Sequence, residues 1–156
     1  MEDRAMLEKM NNEAFRSMLG VEKYLSRCSI EKSLQELIKL RVSQINGCAY
    51  CIDMHWKDAR EGGETEQRLY GLSAWRESPY YSERERAGLL LAEELTRIVD
   101  RSVPEEVHEK VREMFNSEEL ADLVWVIATI NAWNRLNIGL RTVPGNYRPQ
   151  QFAHTS

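Results

Sequence analysis

The chain is short of cysteine: it has three in 156 residues, Cys28, Cys48 and Cys51. That excludes the dense disulfide framework on which small extracellular domains depend. Proline is also scarce, and Pro79, Pro104, Pro144 and Pro149 all fall outside the strongest helical patterns. No apolar run approaches the ~18 residues of a membrane span, and the N-terminal MEDRAMLEKMNNEAF has no apolar secretory region. There is no basic excess: 21 Lys and Arg stand against 25 Asp and Glu, for a net charge of −4. An acidic chain offers little to the phosphates of nucleic acid. Strict period-two alternation, the mark of a half-buried strand, is hard to find. The expectation is an all-α, cytoplasmic protein. It should form one domain over 1–156, with about 142–156 as a tail or an arm reaching a neighbouring subunit.

What is present is helical spacing. A first helix is expected from Asp3 to Met18, stopped at Gly20, with Met6, Met10 and Met18 on its apolar stripe and a short segment Val21 to Arg27 after it. Ser29 or Ser33 should cap the next helix, in which Leu34, Leu37, Ile38, Val42 and Ile45 form the apolar face and Glu36 and Lys39 lie off its centre. Asn46-Gly47 is a turn signal, so a further helix starts at once near Cys48 and ends before Gly62-Gly63. Thr65 should cap a short helix, and Trp75 with SPYYS should form a loop. Ser82 opens a helix through Arg97, with Ala87, Leu90, Leu91, Glu94 and Leu95 inward. Pro104 fits a first helical position. Ser117 opens the last long helix, to about Leu140. Its middle, LVWVIATINAW, is apolar nearly all round, which suits either the centre of a bundle or a subunit interface.

The chemistry is concentrated in ELIKLRVSQINGCAYCIDMH, Glu36 to His55. Cys48, Cys51 and His55 stand at i, i+3 and i+7, so they share one helical face, with the C-x-x-C in the first turn of a central helix. Cys48 lies where the helix dipole favours a thiolate. His55 is one turn beyond Cys51, within reach of its thiol or of a water beside it. Glu36 precedes Cys48 with eleven residues between, about three turns back on the antiparallel partner helix. That puts its carboxylate beside the motif, able to take a proton or orient His55. Each residue also has a bland reading: a satisfied core histidine, a solvated glutamate, and a buried small hydrophobe for Cys28. Cys28, Cys48, Cys51 and His55 could formally supply a zinc set, but the spacing from Cys28 is unusual for a compact site. The expectation is no metal and no other cofactor.

The pattern Glu-x₁₁-Cys-x₂-Cys-x₃-His at Glu36, Cys48, Cys51 and His55 resembles that of the alkyl hydroperoxidase D-like family, within the carboxymuconolactone decarboxylase superfamily. LRVSQINGCAYCIDMH resembles the family's core, and NAWNRLNIG its following helix. The resemblance implies an all-α fold, homotrimers or homohexamers, and metal-free, thiol-dependent reduction of hydroperoxides. It implies Cys51 as the attacking cysteine, Cys48 as the resolving one, and Glu36 with His55 as the proton relay. A dithiol would restore the pair, from a lipoyl-bearing or thioredoxin-like protein. The chain departs from the best-known members at Tyr50, where they carry a second histidine; a phenol does not relay protons near neutrality as imidazole does. Tyr50 and Trp56 suit pocket lining or plain packing. Two rival readings are a non-redox decarboxylase or isomerase using His55 and Glu36 as acid and base, and an oligomer whose C-x-x-C senses oxidants.

Overall fold

The computed structural model describes residues 13–100 and 102–149. Among these are seven α-helices and no strand: α1 Glu13–Leu25, α2 Lys32–Asn46, α3 Ala49–Glu61, α4 Glu66–Tyr70, α5 Glu83–Thr96, α6 Glu105–Met114 and α7 Ser117–Gly139. None is long and apolar enough to cross a membrane. The expected helix from Asp3, with Met6 and Met10, lies mostly outside the described residues.

The centre of the bundle is α2. It packs against α3, α5 and α7, and every residue from Leu34 to Leu40 is buried. The apolar part of that run, with Val42, meets Leu89, Leu91 and Ala92 of α5 and Leu123, Val126, Ile127 and Ile130 of α7 in one core. Being enclosed on several sides, α2 also buries Glu36 and Lys39, which the periodicity placed off the apolar stripe. The last helix, α7, is buried on one side only. Val124 and Trp125 remain exposed, Trp125 at 54%.

Several boundaries differ from expectation for local reasons. Gly20 does not stop α1: the helix continues to Leu25, which is fully buried. Glycine costs a helix interior only ~1 kcal/mol, and burial of Leu25 offsets more than that. Glu31 occupies the N-cap of α2 without a side-chain cap bond, and Ser33 lies inside the helix. Ser29 instead donates through its backbone N–H and its hydroxyl to the buried Asp122 of α7, at 2.8 and 2.7 Å. In α5 Ala87 and Leu91 are buried as expected and Leu90 and Leu95 pack against the core, but the buried face is wider and takes in Leu89 and Glu93. Pro104 caps α6 from just outside it, and Asn116, one residue before Ser117, caps α7 in a reciprocal box with Glu119. Trp75 is buried beneath the loop it opens, its indole N–H donating to Glu93 at 3.0 Å.

Candidate active site

Two helix-end devices share one turn. Gly47 takes a left-handed conformation (φ 71°) after α2, and its N–H returns to the Ser43 carbonyl. The N–H of Cys48 returns to the same carbonyl at 3.1 Å. This is the double closure that a left-handed residue permits at a helix end. Cys48 then serves as N-cap of α3, its sulfur accepting from the Cys51 N–H at 3.3 Å. Both cysteines are therefore fixed at the positive end of α3. They are buried and joined as a disulfide, with Cα atoms 5.3 Å apart. Cys28 is a free, half-buried thiol, and burial pushes its pKa up.

The hairpin lays α3 back along α2 and brings Glu36 to His55. The Nδ1 of His55 is 2.8 Å from Oε2 of Glu36, with both side chains buried. Burial alone would raise the Glu36 pKa. The hydrogen bond and electrostatic pull of His55, with the charge of Lys39, outweigh it and hold the carboxyl below its usual range. Lys39 Nζ lies 4.0 Å from Glu36 and 3.2 Å from Glu22 of α1, and Glu22 accepts from the Trp133 indole at 2.9 Å. Three helices thus hold the pair in place.

Two residues of this neighbourhood were missed in the sequence. Asp58 continues the face of Cys48, Cys51 and His55 by one further turn, a spacing that could have identified it. Tyr147 gave no local signal. Its hydroxyl donates to Asp58 at 2.7 Å, while the Gly145 N–H donates to Asp53 at 3.1 Å and Lys57 donates to the carbonyls of Gly145 and Tyr147. The described part of the tail therefore lies against α3 of its own chain. Burial and the charge of Glu36 push the Asp58 carboxyl up against the pull of the Tyr147 hydrogen bond. Burial and Asp58 in turn push the Tyr147 phenol up. Glu36, His55 and Asp58 are the ligand-type groups that converge among the described residues, with donor atoms within 4.8 Å of one another. No cysteine joins them, so the four-residue set with Cys28 is not assembled.

Asparagines of α7 close the other side of the α2–α3 turn. Asn46 donates to Asn131 and Asn134 at 2.9 Å each, and Asn134 donates to Ser43 at 3.0 Å. Beyond them a cavity of about 250 Å³ opens beside the disulfide, lined by Cys48, Tyr50, Asn137 and Arg141 among others.

The model of the carboxymuconolactone decarboxylase family matches residues 12–94, more than half of the chain and all of the α2–α3 hairpin. The chain belongs to this family. Relatives match over nearly the whole length of the chain. The uncharacterized protein YdfG of Bacillus subtilis is 47% identical over 140 residues, covering 90% of this chain and 95% of that one. A crystal structure from Agrobacterium tumefaciens, of a protein of unknown function provisionally assigned to the AhpD antioxidant defence proteins, superposes with a TM-score of 0.88. It is 38% identical and covers 94% of this chain and 100% of that one. The fold is thus of the alkyl hydroperoxidase D-like type. The same fold carries the debrominase Bmp8, solved with 2,3,4-tribromopyrrole, at a TM-score of 0.80 and 18% identity over 89% of this chain and 74% of that one.

Proposed function

We propose that the chain reduces organic hydroperoxides through a dithiol–disulfide cycle at Cys48 and Cys51, with Glu36 and His55 moving the proton. The observation that carries this reading is the buried His55–Glu36 pair, 2.8 Å apart, one turn along α3 from the linked cysteines. Family membership and the antioxidant assignment of the Agrobacterium relative support it.

In the cycle, the Cys51 thiolate attacks the distal oxygen of the hydroperoxide. The O–O bond breaks, Cys51 becomes a sulfenic acid, and the departing alkoxide takes a proton to leave as the alcohol. Cys48 then attacks the sulfenic sulfur, the S–S bond forms and water leaves. His55, hydrogen-bonded to Glu36, takes the thiol proton and returns it to the leaving oxygen. An external reductant, one dithiol or two monothiols, restores both thiols and is itself oxidised to a disulfide. The chemistry calls for a reducing, cytoplasmic setting. The working form is a homotrimer or homohexamer, joined through the exposed apolar side of α7 around Val124 and Trp125. Hydroperoxide consumption with a dithiol reductant tests the reading. Loss of turnover in Cys51→Ser and Cys48→Ser supports it, and turnover that survives both substitutions contradicts it.

A further inference from the structure

The cavity beside Cys48 carries polar features that the peroxide step does not use. Asn137 is 7% exposed and its amide N–H₂ donates to the Trp133 carbonyl at 2.9 Å, which fixes the side-chain orientation. Its Oδ1 is nonetheless buried with no hydrogen-bond partner. The Thr142 hydroxyl is likewise buried and unpartnered, and both residues line the cavity. A buried polar atom left without a partner costs about 1–3 kcal/mol, so both atoms gain from any water or ligand group that reaches them.

Arg141 is the third feature. At the end of α7 the Thr142 N–H returns to Asn137 and the Arg141 N–H to Ile138, the double closure that follows a left-handed residue. That residue is usually glycine. Here it is Arg141, at φ 55°, the only non-glycine with positive φ among the described residues. A side chain in this conformation costs about 1 kcal/mol or more, which glycine would avoid. Arg141 lines the cavity, and its guanidinium has no hydrogen bond or ion pair among the described residues.

Cys48 lines this cavity and Cys51 does not. Cys48 is thus the cysteine on the cavity side of the buried disulfide. Resting on the dithiol–disulfide reading above, we infer that the cavity is the entry site of the reductant, and that it selects a small thiol bearing both a carboxylate and an N–H donor. Arg141 takes the carboxylate, Asn137 Oδ1 accepts from the N–H, and Thr142 completes the polar wall. The incoming thiolate attacks Cys48 Sγ, a mixed disulfide forms on Cys48, and Cys51 leaves as the thiolate. A second thiol attacks the ligand's sulfur and releases Cys48, the two ligand thiols departing as their disulfide.

N-acetylcysteine and N-acetylcysteamine share the thiol and the amide and differ by one carboxylate. Each is mixed with the oxidised protein at low ionic strength, quenched with acid, and the thiols are mapped by mass spectrometry. Per thiolate, the wild type is expected to be reduced about fivefold faster by N-acetylcysteine, the upper range for one exposed ion pair. The chain's net charge of −4 alone would favour the neutral thiol. Arg141→Gly should abolish the preference while leaving the thermal midpoint equal or higher, since glycine relieves the backbone. Arg141→Lys should keep the preference. Equal rates in the wild type, a preference that survives Arg141→Gly, or a mixed disulfide trapped on Cys51 overturns the inference. Reduction by neither thiol overturns the inference alone; the cycle itself stands or falls on whether hydroperoxide oxidises Cys48 and Cys51 to their disulfide.

Discussion

His55 and Glu36, nineteen residues apart, meet at 2.8 Å inside the protein, joined across a hairpin whose turn also fixes Cys48. The pairing gives the glutamate a partner and the histidine a fixed orientation.

Replacing Glu36 by glutamine keeps the size and removes the base. Peroxide turnover should fall by ~10²–10⁴-fold, the usual contribution of a positioned acid–base group, with partial recovery at higher pH where thiolate forms unaided. A stability signature should accompany it. The Glu36 carboxyl is held below its ordinary value in the folded state, so its pairing stabilises above the unfolded pKa and is lost as pH falls through the folded one. The variant should lack that part of the acid limb. Thermal midpoints and turnover measured against pH check both, and unchanged turnover removes Glu36 from the chemistry.

Glu93 is a structural counterpart. Fully buried, it accepts from Arg41 at 2.7 Å, Trp75 at 3.0 Å and Arg97 at 3.2 Å, and also from Arg76. Burial raises its pKa, but the hydrogen bonds from Arg76, Trp75 and Arg41 outweigh it and bring the carboxyl down to about 2. Its stabilisation is complete above ~pH 5 and is lost between there and about pH 2. Glu93→Gln should cost ~3–5 kcal/mol, because it leaves buried guanidinium uncompensated. Denaturant unfolding at pH 7 and pH 3 should show the two proteins converging at the lower pH.

The Tyr147 phenol stays protonated through neutrality, because its pKa is pushed up by burial and by Asp58, and so it remains a donor. Tyr147→Phe should weaken the tail's hold on α3 by ~1 kcal/mol, one hydrogen bond's net contribution. Trypsin cleavage after Arg141 should accelerate about fivefold, and Asp58→Asn should have a smaller effect in the same direction. Unchanged cleavage would show that the backbone bonds at Asp53 and Lys57 suffice.

Trp125, half exposed on α7 beside Val124, tests the assembly. Light scattering of the wild type at micromolar concentration should give a trimer or hexamer. Trp125→Glu should shift it toward the monomer without changing helical content. A monomeric wild type contradicts the proposed assembly.

The α2–α3 hairpin was legible because its signals are local: three- and four-residue spacing, then Asn46-Gly47, then cysteines and histidine on one face. The burial of Glu36 and Lys39 was not. It follows from α2 being enclosed by α3, α5 and α7, and periodicity reports one face, not how many neighbours a helix has. The wider buried face of α5 has a similar origin, since the fully buried Glu93 reads as a surface charge until Arg41, Trp75 and Arg76 are brought to it. Gly20 was read as a stop because local propensity favours one, while Leu25 reaches the core only if the helix continues. Tyr147 and Arg141 act through contacts and backbone conformation at the far end of the chain, for which the sequence carries no period.

The most direct measurement is a single turnover without external reductant. Fully reduced protein is mixed with one equivalent of cumene hydroperoxide, and both partners are counted after an acid quench. The account predicts one cumyl alcohol formed per Cys48–Cys51 disulfide, with Cys48→Ser arrested as a sulfenic acid on Cys51 that dimedone traps. Hydroperoxide left unconsumed while both thiols stay free would contradict it.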